Sequence, residues 1–275
     1  MIRAILLGTT GLAVALVMLG AGFAAGNAPV AQAQAAGAEE TPAVVQMAAA
    51  ETPTTVDRKE VEGIVRDYLL KNPEIMLEVQ GALEAKQQEE QRLAHLGVID
   101  DNKDEIFNSA FDGIVGNRDG KVTIVEFYDY NCGFCKRAID DMQALTKADP
   151  ELRFVLKEFP ILGPDSQKAS VVSMAFHKLM PEKYGEFHNA LLGGQGRATE
   201  EAAVKIALSL GADEAKLREH MQDPDIPAAF AKTYELANKL AITGTPSYVV
   251  GNEVIFGALG KEVLAEKIEA AKSAL

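Results

Sequence analysis

The stretch that most constrains this chain is Phe127 to Lys136, FYDYNCGFCK, which holds its only two cysteines. Ahead of it, Lys121 to Tyr128 (KVTIVEFY) is rich in the β-branched and aromatic residues of a strand. Behind it, Ala138, Ile139, Met142 and Leu145 fall at helical spacing within Lys136 to Leu145. Cys132 therefore stands where a strand hands over to a helix. The first turn of a helix carries unpaired backbone N–H groups and the positive end of the dipole, and both favour a thiolate over a thiol. That predicts a depressed pKa for Cys132, more exposure than its partner has, and the role of nucleophile. Cys135, one turn deeper, is placed to resolve a mixed disulfide by attacking Cys132.

Two other uses of the pair compete with redox chemistry. A purely structural disulfide would close so short a loop that it constrains the unfolded chain little. Half of a zinc site would need further ligands, yet there is no second cysteine pair and the four histidines are scattered. The strand and helix flanks favour a redox pair that works without cofactor or metal beyond its own disulfide.

The N-terminus bears on where such a pair works. Arg3 gives a positive start, Ile5 to Leu19 is apolar, and Ala31-Gln32-Ala33 or Ala33-Gln34-Ala35 offers small-residue cleavage sites. Residues 1–35 read as an export signal. The uncharged stretch runs on from Ala4 to Ala38, so an uncleaved anchor is the alternative, since roughly 20 apolar residues span a bilayer. The Gly, Thr and Ala content and the cleavage pattern favour removal. Export places the CxxC in the oxidising periplasm, where protein disulfides are made and repaired. The formal net charge of −13 argues against nucleic acid as a partner.

Residues 36–56 are Ala, Glu, Pro, Thr and Gln in no periodic order, as in a disordered linker. Residues 57–112 read as an N-terminal helical region: one helix from Asp57 stopped at Asn72-Pro73, a second from Pro73 to about Leu96, and a third piece from Asp101 to Phe111. Leu69, Met76 and Leu83 are seven apart, as are Tyr68 and Ile75, which makes a short heptad-like seam. Such a seam wants a partner: a second copy of the chain through residues 57–96, or the main domain of its own chain. The polar run Glu84 to Arg92 favours a projecting, self-associating arm.

Residues 113–275 form the main domain. After the CxxC helix, Leu152 to Phe159 reads as a second buried strand, giving a β-α-β unit that closes right-handed into a parallel pair. Residues 165–241 are an all-helical insertion punctuated at Pro181, Gly193-Gly194, Gly211 and Pro224. Ser247 to Val250 and Glu253 to Phe256 form a hairpin around Gly251-Asn252, and Lys261 to Ala271 a closing helix. Just ahead of the hairpin, Thr243-Gly244-Thr245-Pro246 places a proline at a strand start, a reasonable site for a cis bond.

Strand, CGFC, helix, strand, helical insertion, Thr-Pro, hairpin and terminal helix together resemble the thioredoxin-fold proteins of the DsbA family. With the helices from Asp57 to Leu96, the NPEIM run and the Gly-aromatic dipeptide, the chain looks most like the ScsC-type and Com1-like periplasmic oxidoreductases. The resemblance implies an α/β thioredoxin fold with an inserted helical domain, preceded by helices that oligomerise. It implies that Thr245 and Pro246 lie against the CxxC and contact the substrate backbone, with Gly133 and Phe134 beside them. Glu126 matches the acidic strand residue the family keeps beneath its site, where a carboxylate relays the proton of Cys135. Lys157 resembles a further family position and is expected to pair with Glu126. Substrates would be unfolded or misfolded exported proteins, and the membrane redox partner a DsbB-like oxidant or a DsbD- or ScsB-like reductant. Gly133-Phe134 replaces the Pro-His of DsbA oxidases, so no imidazole supports the thiolate, which argues against strong oxidising power, and the N-terminal seam favours an isomerase through avidity. The alternatives are a DsbA-like dithiol oxidase and a non-enzymatic copper-binding or holdase protein. Tyr128, Tyr130 and Phe134 are candidates for an apolar rim, with Tyr128 equally suited to the core.

Overall fold

The computed structural model describes residues Asp57 to Ala274. The expected signal (1–35) and linker (36–56) lie outside them. Three helices come first: α1 (Arg58–Lys71), α2 (Ile75–Asp101) and α3 (Lys103–Phe107). The strand β1 (Gly113–Gly116) leads to β2 (Val122–Tyr128), α4 (Gly133–Ala148) and β3 (Leu152–Glu158). The helical insertion then runs through α5 (Pro164–Leu179), α6 (Tyr184–Leu192), α7 (Glu200–Ser209), α8 (Glu214–His220) and α9 (Asp225–Lys239). The hairpin β4 (Ser247–Val250) and β5 (Glu253–Phe256) and the helix α10 (Lys261–Lys272) close the chain.

The five strands lie in the order β1-β3-β2-β4-β5. β2 and β3 are parallel, as a β-α-β unit requires, while β1 on β3 and β4 on β2 are antiparallel. Side chains alternate between the two faces, so register decides which residues meet. Ile124, Tyr128, Phe154, Leu156, Tyr248 and Val250 share one face with both cysteines, α4 and the insertion. Val125, Phe127, Val155 and Val249 share the other with Ile99 of α2, Ile106 of α3 and Leu236 of α9. Both faces are covered, as for other sheets with a parallel centre. Each such fully buried Ile, Val or Phe contributes ~1.5–3 kcal/mol.

Three boundaries differ from the sequence reading. β1 was hidden because it is a four-residue edge strand with glycine at both ends, which reads as a turn. α2 runs past Leu96 to Asp101 because Ile99 docks in the core, and Asn102 then caps the helix through Nδ2 to the Val98 carbonyl at 2.7 Å. α3 spans only Lys103–Phe107 instead of the expected Asp101 to Phe111, whereas α4 begins at Gly133 with Cys132 as its N-cap residue, as the handover at Cys132 implies. At the other extreme, α1 buries no residue, and α2 is exposed from Met76 to Ala94, burial starting at His95.

Candidate functional site

β2 ends in the turn Asp129–Asn131, and the Asp129 side chain builds it. Its Oδ1 accepts the Asn131 N–H (2.7 Å) and the Ser166 hydroxyl (2.7 Å), and its Oδ2 accepts the Leu162 N–H (2.9 Å). Asn131 then bridges to the insertion, donating to the Ala198 carbonyl (3.0 Å) and accepting the Ala198 N–H (2.8 Å). The Asp129 carbonyl takes the Cys132 N–H at 3.0 Å. The redox turn is thereby tied to the starts of α5 and α7 before any chemistry is considered.

Cys132 is 5% exposed and Cys135 is not exposed at all. The thiol form of Cys132 donates to the Thr245 carbonyl at 3.1 Å, and the Thr245–Pro246 bond is cis. The loop before β4 is held by Ser247 Oγ to the Gly244 carbonyl (2.8 Å) and by the Gly257 N–H to the Pro246 carbonyl (2.9 Å). Thr245 and Pro246, 113 residues away in the chain, thus close over the CxxC.

The two sulfurs are driven apart in acidity. Cys132 is lowered from 9.0 to about 5, first by the hydrogen bond of the Cys135 thiol to its sulfur. Burial opposes this, and the Thr245 side chain and the backbone N–H groups of Cys135 and Phe134 lower it further. The helix-start amides foreseen from the sequence contribute, but the neighbouring thiol leads. Cys135 is pushed far up by burial, then by its bond to Cys132 and by the Glu126 charge. Glu126 lies on the cysteine face, 3% exposed, with its pKa raised from 4.5 to about 8. Burial is the main cause and the Cys132 charge adds to it, while the Tyr248 hydroxyl works against both. The arrangement holds one sulfur as a thiolate, one as a thiol, and a carboxyl group between the two states near neutrality.

Lys157 does not join this group. In the β2–β3 register Glu126 lies beside Leu156 and Lys157 beside Phe127, so the two side chains leave opposite faces of the sheet. Lys157 is buried on the other face, where Nζ donates to Asp112 Oδ2 and to the Glu105 carbonyl, each at 2.6 Å. The expected Glu126–Lys157 pair is replaced by Asp112–Lys157.

Of the candidate rim, Tyr128 and Tyr130 are buried, and Phe134 is 58% exposed beneath the Arg137 guanidinium, 4.4 Å from its ring centre. Gly133 is exposed, and a Cβ there would meet only Arg137 Nη1 at 3.9 Å, so packing does not demand glycine. Two exposed leucines were missed in the sequence: Leu162, whose loop is fastened to Asp129, and Leu259, whose loop follows the Gly257–Pro246 bond. Local sequence does not mark Leu162, whose N–H reaches Asp129 across 33 residues.

Residues 123–269 match the family model described as DSBA-like thioredoxin domain, and residues 57–90 the one described as copper resistance protein ScsC N-terminal domain. A thioredoxin-like oxidoreductase from Silicibacter pomeroyi DSS-3 is 38% identical, with a TM-score of 0.60 over 63% of this chain and 99% of that one. Proteus mirabilis ScsC, in a transitional conformation, is 27% identical with a TM-score of 0.60 over 79% of this chain and 97% of its own. Disulfide bond formation protein D of Bacillus subtilis is 28% identical over 61% of this chain and 84% of its own length. Two Na(+)/H(+) antiporters NhaA of Salinispora match at 26% and 25% identity, and the chain spans only 24% of their length.

Proposed function

This chain belongs to the DSBA-like thioredoxin domain family, and on that premise we propose that it is an exported, periplasmic thiol-disulfide oxidoreductase acting chiefly as a disulfide isomerase and reductase. The observation that carries the chemistry is the acidity contrast between Cys132 and Cys135 beneath Thr245–Pro246. The Cys132 thiolate attacks one sulfur of a wrong substrate disulfide, forms the mixed disulfide and releases the other substrate sulfur as a thiolate. That thiolate, or another on the same chain, attacks elsewhere in the substrate, and Cys132 finally leaves as a thiolate with the cysteines re-paired. If reshuffling stalls, Cys135 gives its proton to the Glu126 carboxylate and attacks Cys132 Sγ. The Cys132–Cys135 disulfide forms and the substrate departs reduced.

Glu126 suits that step. The Cys132 charge helps to hold its proton, and that charge vanishes in the mixed disulfide. Glu126 then ionises more easily at the moment a base is needed. Phe134, Thr245 and Pro246 would receive the unfolded polypeptide, and a membrane reductant of DsbD or ScsB type would return the pair to dithiol.

The isomerase preference rests on the arm. Val61, Ile64, Val65, Tyr68, Met76, Val79 and Leu83 are all exposed on α1 and α2. A self-associating arm over residues 57–96 buries that surface and sets several catalytic faces around one misfolded chain, which then gains by avidity. The test is the rescue of scrambled ribonuclease and the oxidation of reduced ribonuclease, with and without residues 57–96, alongside light scattering. Rescue by an oligomer, lost on deletion, is the expected result. Oxidation alone would return the reading to a dithiol oxidase, and neither activity would end the enzyme reading. A second reading is favoured by the copper-resistance description of the model matched at residues 57–90: paired soft thiolates are suited to Cu(I). Cu(I) uptake lost in Cys132→Ser, without any ribonuclease activity in the native protein, would establish it.

A further inference from the structure

Glu158 ends β3 on the same face as Glu126, directly across from Tyr128, and the thiol chemistry makes no use of it. It is buried where the sheet meets the helical insertion. Facing it are Tyr128 at the end of β2, Asp129 and Tyr130 of the turn that follows, Ser170 and Ser173 from α5, and Tyr184 from α6, whose neighbour His188 packs edge-on against the Tyr128 ring.

The tyrosines of this seam are partnered. Tyr128 and Tyr184 share a hydrogen bond of 3.0 Å, and Tyr130 meets Ser173 Oγ at 2.7 Å and His188 Nδ1 at 3.5 Å. Both Glu158 oxygens, Ser170 Oγ and His188 Nε2 are buried without a hydrogen-bond partner among the described residues. No lysine or arginine pairs with Glu158 among those residues either. His188, lowered to about 3 by burial, is neutral and supplies no cation.

A buried carboxylate without a cation is costly, and such a group keeps its proton instead. Burial raises Glu158 from 4.5 to about 7; Ser170, Ser173 and Tyr128 lower it, and the Asp129 charge raises it. The protonated form has an O–H to give to the unpartnered Ser170 oxygen. The ionised form can accept from the hydroxyls of Ser170, Ser173 and Tyr128, but burial outweighs them, no cation stands beside it among the described residues, and the Asp129 charge opposes it. Water then makes up the remaining deficit, as buried waters do for unsatisfied polar groups.

We propose that Glu158 is a proton-operated clasp between the sheet and the helical insertion: protonated, it closes a dry seam against α5; ionised, it admits water and loosens α5 and α6. The sign follows from linkage. An acid whose folded pKa is raised makes the fold bind extra protons, so its contribution to stability falls as pH rises from 4.5 towards about 7.

The test has to be local, because Glu126 titrates in the same direction. Amide exchange, corrected for its intrinsic pH dependence, is measured in α5, α6 and α10 at about pH 5.5 and about pH 8.5. Protection of α5 and α6 is expected to fall about tenfold or more relative to α10 in the native protein, and to stay level in Glu158→Gln. Equal protection at both pH values in the native protein overturns the proposal, as does an equal fall in Glu158→Gln. If that variant does not fold, infrared spectra of the native protein decide. A buried carboxyl band that titrates near neutrality in step with the loss of α5 and α6 protection supports the clasp, and one that does not refutes it.

Discussion

The two faces of the sheet bury charge by opposite rules. On the face away from the cysteines, Lys157 and Asp112 meet at 2.6 Å, both nearly inaccessible, and the Glu105 carbonyl takes a second proton of the ammonium. On the cysteine face, Glu126 and Glu158 are also buried, and neither has a cation beside it among the described residues. A paired charge holds two elements in register, and Lys157 offsets part of the burial that raises Asp112 from 3.8 to about 6. An unpaired carboxylate is a poor staple and a good proton carrier, because its charged and neutral forms lie close in free energy near neutral pH. The fold thus keeps its cation-paired fastening on one side and its carboxyl groups without a cation, raised furthest towards neutrality, on the other.

The largest expected break of that division is Lys157→Met. It leaves Asp112 buried without its cation and is expected to cost about 3–5 kcal/mol in urea unfolding, most of which Asp112→Leu added to it restores. The folded fraction should exchange disulfides at the native rate; a slower rate would mean that the fastened face also serves the chemistry. Next comes Glu126→Gln. Loss of the base is expected to slow resolution of a trapped Cys132 mixed disulfide by on the order of 100-fold. The same change is expected to stabilise the protein on the alkaline side, by on the order of 1 kcal/mol, because the native carboxyl ionises at a cost as pH rises from 4.5 to about 8.

A finer test is the Cys132 thiolate absorbance, with an expected midpoint of about 5 in the folded, reduced protein. Since that pKa is depressed from 9.0, the thiolate's contribution to stability is complete above the ordinary thiol range and lost as pH falls through about 5. Reduced protein should therefore lose stability relative to oxidised protein on acidification, and a midpoint near 8 or 9 would dissolve the contrast between the sulfurs. The smallest effect is expected of Phe134→Ala. Loss of an exposed aromatic contact should raise KM for a protein substrate about 3- to 10-fold, with the Cys132 titration unmoved.

Much of this was legible in the chain, for identifiable reasons. The strands beside FYDYNCGFCK, the helix after it and the hairpin around Gly251-Asn252 each announce themselves within a dozen residues. Glu126 was placed with the site by resemblance to the acidic strand residue the DsbA family keeps there, and the structure buries it on the cysteine face. Lys157 could not be assigned, because its partner Asp112 lies 45 residues away and only the β2–β3 register says which face it takes. The Asp129–Asn131 supports were equally hidden: Ser166 and Ala198 reach them across 37 and 67 residues. Local pattern reports what a segment can become, and register and long hydrogen bonds report what it meets.

One feature of the arm sets a scale. α2 is a single helix of 27 residues, so it is roughly 40 Å long at ~1.5 Å per residue. Its last turns are bolted into the core by His95 and Ile99, Gln88 to Arg92 border the β5 edge, and the whole stretch from Met76 to Ala94 is exposed. Any assembly built on that stretch would inherit a ruler: the spacing between redox centres would be gauged by helix length, and removing one helical turn would both shorten it and swing every Cys132 around the axis.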